Sequence, residues 1–275
     1  MKQIYTPKPA YPTPAHAAAA QAIAERFGGE TEAVLLLNSC ARGKASPDSC
    51  LDMGLLLRPE QYAANGAALE KSWEGWYGSA PVFRGLEAAG HFAEVHLDVI
   101  SGLYAPTEHG WTSGPDAFEL EIGNHLVYAH PLVQAGGYWD ELRAQWLPYY
   151  NEEIRAERLA MVRKFCLNNL DHIPLYSPRG LPFQCLDRLY NAHREFLQAL
   201  FISRRVYPIA YDKWIHEQVV EILGLPELHA QLLDLFQIQD LQSGEIVEKS
   251  EHLRELLNRY APEPRFEPLI NTDEL

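Results

Sequence analysis

The chain has 275 residues, 47% of them hydrophobic and 22% charged, and 37 Asp and Glu outweigh 23 Lys and Arg for a formal net charge of −14. Such a composition fits one large or two modest globular domains, with enough apolar material to fold without disulfide or metal staples. An acidic surface with no dense Lys/Arg run argues against long nucleic acid and anionic membrane as partners, and no apolar run approaches the roughly 20 residues that cross a bilayer.

In chain order, the Pro-rich start lacks the apolar stretch of a signal peptide, which points to a cytoplasmic protein. Thr13-Pro14 reads as an N-cap followed by proline at the first helical position, and the helix runs to Phe27 before Gly28-Gly29. Ala33 to Leu37 is a short continuous apolar run suited to a buried strand. The polar stretch Asn38 to Ser49 reads as a loop with room for a helical turn, and Leu51 to Leu57 as a second strand. Pro59 to Trp76 predicts a helix weakened by Gly66, and Ala93 to Ile100 alternates as a third strand. A short helix over Phe118 to Ile122 leads to a fourth strand candidate, His125 to Ala129.

From Trp139 the texture turns helical. Apolar residues from Leu186 to Phe201 recur along one helical stripe. Further helices are expected over Asn151–Leu170, Tyr211–Leu223, Glu227–Phe236 and Gly244–Tyr260, with a polar tail after Pro262. The expected fold class is α+β: a small mixed-sheet head over residues 1–150 and an all-helical domain over 151–275. Cys40, Cys50, Cys166 and Cys185 form no C-x-x-C pair and match no zinc spacing, so they read as reduced thiols. His125 and His130 do not share a helical face, which argues against a paired metal site.

The informative segment runs Leu37-Asn38-Ser39-Cys40-Ala41-Arg42-Gly43 and on through Ser49-Cys50-Leu51-Asp52. A buried strand ends in Asn-Ser, a loop follows, and a second strand opens with a carboxylate. This resembles the signature of the polymerase-β-like nucleotidyltransferases, including aminoglycoside and lincosamide nucleotidyltransferases: Gly-Ser, a loop often carrying Ala-Arg-Gly, then Ser-Asp-x-Asp. Ser39, Ala41-Arg42-Gly43, Ser49 and Asp52 match. Asn38 replaces the glycine, a change that Asn survives because it tolerates a left-handed backbone. Cys50 replaces the first aspartate, and a thiol is a poor ligand for hard Mg²⁺.

The resemblance implies a nucleoside triphosphate as substrate, Mg²⁺ or Mn²⁺ as cofactor, and transfer of a nucleoside monophosphate to a small acceptor. It implies Asp52 and Asp98 as metal ligands, with Asp52, Glu94 and Asp98 as the catalytic carboxylates. Alternation places Glu94, His96 and Asp98 on one strand face, and the third carboxylate is left open between Glu94 and Asp98, with His96 as a lesser candidate. Ser39, Arg42 and Ser49 would hold phosphates. In the helical half, the run Ser203-Arg204-Arg205-Val206-Tyr207-Pro208 followed by Lys213-Trp214 is similar to the helical region of one branch of these proteins, which adds Lys213 to the nucleotide contacts. The departure at Cys50 supports an alternative, a catalytically inactive member of the fold that binds a nucleotide or partner as a regulator.

Overall fold

A computed structural model describes residues 5–107 and 113–264. They fall into two units, one comprising 5–106 with 118–148, the other 107 and 113–117 with 149–264. The chain is a mixed α+β protein whose strands form one small sheet.

In the first unit, α1 spans Pro14–Phe27. Its N-cap is Thr13, whose hydroxyl accepts the His16 backbone N–H, and Pro14 occupies the first turn where a missing N–H costs nothing. Strands β1 (Ala33–Leu36), β2 (Leu51–Leu56), β3 (Val95–Ile100) and β4 (His130–Gln134) form a sheet of order β3-β2-β1-β4. β1 pairs antiparallel with both β2 and β4, while β2 and β3 run parallel. The parallel step requires a crossover, supplied by α3 (Pro59–Tyr77) and α4 (Pro81–Glu87).

One sheet face packs onto these helices. Val34, Leu36, Leu51, Met53, Leu55 and Val95 meet Ile23 and Phe27 of α1, Trp73 of α3 and Phe83 of α4 in a single core. Trp73 and Phe83 meet edge to face at 5.3 Å between ring centroids, an arrangement that adds to the area they bury. The period of two therefore sends Asp52 and Gly54 of β2, and His96 and Asp98 of β3, to the opposite face, with Cys50 and Glu94 immediately before the two strands.

Two expectations are corrected here. The stretch 125–129 is not a strand: α5 (Phe118–Ile122) continues into a π-helical turn, Gly123–Val127, and the fourth strand starts at His130. The apolar residues Leu126, Val127 and Tyr128 are buried, and a short apolar run suits a buried helix as well as a buried strand. The polar stretch from Asn38 does hold a helical turn, the five-residue α2 (Asn38–Arg42), before its loop. In the second unit, residues 211–214 form an irregular turn, so the helical segment begins only at Ile215 and includes a π-helical stretch, Glu217–Ile222. Helix α6 (Tyr138–Trp146) completes the first unit.

The second unit is built on two long helices, α7 (Glu152–Tyr176) and α8 (Pro182–Arg204), with α9 (Pro226–Asp234) and α10 (Glu245–Tyr260) beside them. Asn151 caps α7 by accepting the Ile154 N–H at 2.9 Å. Asp116 explains why 113–117 belongs to this unit. Its carboxylate takes both guanidinium nitrogens of Arg158 at 2.7 and 2.6 Å, plus Gln198 at 2.8 Å, all out of water. No helix among the described residues is long and apolar enough to cross a membrane.

Candidate functional site

The strand–helix–strand segment from β1 to β2 is held by backbone geometry that few residues permit. Asn38 has φ +49°, the left-handed conformation in which Asn is several-fold enriched. Gly43 ends α2 at φ +69°, donating its N–H to the Cys40 and Ser39 carbonyls, and a Cβ there would lie 2.6 Å from the Lys8 carbonyl oxygen. Ser39 and Arg42 are both buried. Ser49 is spent partly on the loop itself: its hydroxyl accepts the Ser46 N–H at 2.9 Å. Its carbonyl accepts from His16 Nε2 at 2.9 Å while His16 Nδ1 meets Thr13 at 2.8 Å, so the start of α1 anchors the approach to β2. His16 escaped the sequence reading because a lone histidine in an Ala-rich helix carries no local signal of a partner 33 residues away.

Parallel pairing of β2 and β3 sets the site. Asp52 lies opposite His96, and Gly54 opposite Asp98. His96 Nδ1 is 3.5 Å from the Asp52 carboxylate and its Nε2 is 3.0 Å from Glu94. The Asp98 carboxyl is raised above the usual aspartate range, first by burial and then by the charge of Asp52, with His96 opposing. Two carboxylates that repel each other across neighbouring strands make a place where a cation is favourable. The Cys50 thiol donates to the Phe92 carbonyl at 3.2 Å and is itself raised by burial, Asp52 and Glu94, which keeps it protonated. Gly90 allows this approach, since a Cβ on it would sit 2.3 Å from the Pro47 carbonyl oxygen.

Downstream on β3, Asp98 also lines an open recess of about 430 Å³ in the first unit, shared with Tyr62, Tyr104, Glu121 and His125. His125 Nδ1 and the Tyr104 hydroxyl are buried with no hydrogen-bond partner among the described residues. Burial pushes the His125 imidazole down to about 4, so it is neutral near pH 7. The π-helical turn brings His125 here, a common setting for a functional side chain and one that no sequence period announces.

Lys213 belongs to the second unit, where it is exposed on the irregular turn before Ile215. Gln218 pins that turn, accepting from the Ile209 N–H at 2.7 Å and donating to the carbonyls of Ala210 at 2.8 Å and Lys213 at 3.1 Å. No protein-family model matches the chain, and no curated protein matches it.

Proposed function

We propose that the first unit binds a nucleoside triphosphate with a divalent cation and transfers its nucleoside monophosphate to a small acceptor. The observation that carries this reading is the β2–β3 register, which sets Asp52 opposite His96 and Asp98 two residues further along β3, so that both carboxylates lie on the same face of neighbouring strands. Asp52 and Asp98 have the oxygen donors that Mg²⁺ takes, and Mg²⁺ accepts as few as one or two protein carboxylates. Cys50 does not fit that ion. When bound, the cation supplies neutralisation of phosphate charge. The chain's own residues do the rest: Asp98, which lines the recess, takes the proton of the acceptor hydroxyl. The recess is large enough for a small molecule, and His125 and Tyr104 are among the polar residues that line it.

A second reading, a nucleotide-binding protein without turnover, is favoured by one observation: the Cys50 thiol is tied to the Phe92 carbonyl and held neutral. Titration calorimetry with each nucleoside triphosphate, with and without Mg²⁺, tests both, alongside an assay of pyrophosphate release. Mg²⁺-dependent binding that is lost in Asp52→Asn supports the shared site. Release of pyrophosphate that falls at least about tenfold in Asp98→Asn supports transfer, and binding without release supports the second reading. If no triphosphate binds under either condition, both readings fall.

A further inference from the structure

We infer that Cys50, Glu94 and His96 form a binding site for a borderline divalent cation of the zinc class on the outer face of the sheet. One donor atom from each lies within 4.8 Å of the others. Donor atoms sharing a tetrahedral zinc ion stand roughly 3.3–3.7 Å apart, given bond lengths near 2.0–2.3 Å, so modest rotamer changes close the set. The chemistry of the donors selects the ion: a sulfur, which gives up its proton to solvent and its hydrogen bond to the Phe92 carbonyl as the metal binds, an imidazole nitrogen and one carboxylate suit zinc, whereas magnesium takes oxygen. The departure at Cys50 from the all-carboxylate pattern thus supplies the sulfur donor that such an ion prefers.

The surroundings support such a site. Asp52 faces His96 Nδ1 at 3.5 Å, on the ring edge away from Glu94. That is the arrangement in which a carboxylate orients a metal-bound histidine, leaving Nε2 and the Glu94 oxygen, now 3.0 Å apart, to share the ion. The trio is solvent-reachable, Glu94 and His96 being exposed and Cys50 half-buried. Three protein ligands leave the fourth position for water or a ligand oxygen, as in catalytic rather than structural zinc sites. The trio comes together because Gly90 lets the turn before β3 lie on Pro47 and Asp48, which seats Cys50 beside the start of β3. The inference does not depend on nucleotidyl transfer, since none of the three donors is needed to hold a triphosphate.

The test is Co²⁺ titration of the intact chain without nucleotide, read by absorption. A single equivalent should raise both a near-ultraviolet sulfur-to-cobalt charge-transfer band and the strong visible bands of a tetrahedral ion. Zn²⁺ should displace it and Mg²⁺ should not. The other three cysteines are buried, so Cys50→Ser should abolish the charge-transfer band. His96→Gln, at an exposed position, should weaken Co²⁺ affinity at least tenfold. Asp52→Asn should weaken it by about 10- to 100-fold while keeping the charge-transfer band. Absence of that band, or affinity unchanged in His96→Gln, overturns the site, whatever nucleotides bind.

Discussion

Replacing Glu195 with glutamine should make the protein more stable at alkaline pH, because the natural carboxyl is in the wrong environment for a charge. Glu195 lies on α8 at 1% exposure. Its Oε2 accepts from Asn169 at 2.8 Å, and Asn169 in turn accepts from Arg188 at 3.0 Å. Its Oε1 is buried with no hydrogen-bond partner among the described residues. Burial pushes the carboxyl from its ordinary 4.5 up to about 8, against the opposing pulls of the Asn169 hydrogen bond and of Arg188 and Arg194. Between those two values the folded chain keeps a proton that the unfolded chain has released. Stability therefore falls as pH rises through that window and levels off above it.

The full displacement corresponds to about 5 kcal/mol. Relaxation and water penetration on charging leave on the order of 2 kcal/mol to be seen. Glutamine keeps the acceptor for Asn169 and cannot ionise, so the Glu195→Gln curve should be flatter and should rise above the natural protein near the alkaline end. Urea unfolding followed by helical circular dichroism from about pH 5 to about pH 9 reads this directly. Parallel pH dependence in the two proteins, or a variant that loses ground as pH rises, would refute the reasoning.

Gly43→Ala should lower the thermal midpoint by a shift equivalent to about 2–3 kcal/mol, since it combines a left-handed φ with a backbone oxygen 2.6 Å from the new Cβ. Scanning calorimetry checks it, and an unchanged midpoint would mean that the Lys8 segment moves aside freely. Arg158→Met should cost about 3–5 kcal/mol by leaving the Asp116 carboxylate buried without its main cation. Adding Asp116→Asn should recover a large part of that loss in urea unfolding, and a double variant no better than the single one would assign the damage to packing instead.

Much of the local structure was legible in the sequence because its causes are local. Thr13-Pro14 starts α1 through a cap and a preset φ, and the unbroken apolar run before Asn38 marks β1, whose successive side chains are all buried. The mixed α+β class, with strands early and helices late, followed from the change of period along the chain. Alternation also placed Glu94, His96 and Asp98 on one face before any pairing was known. What alternation could not supply was the neighbour. Parallel register set Asp52 against His96 rather than against either carboxylate, and the turn eased by Gly90 brought Cys50 to Glu94 and His96. The fourth strand, too, was misplaced until β1 selected His130–Gln134 as its partner, because an apolar stretch such as 125–129 satisfies burial equally as a helix or a strand. Periodicity is set by each residue's own backbone and fixes which way a side chain points, whereas register depends on hydrogen bonds between segments distant in the chain, as Asp52 and His96 are, and only the folded chain makes them.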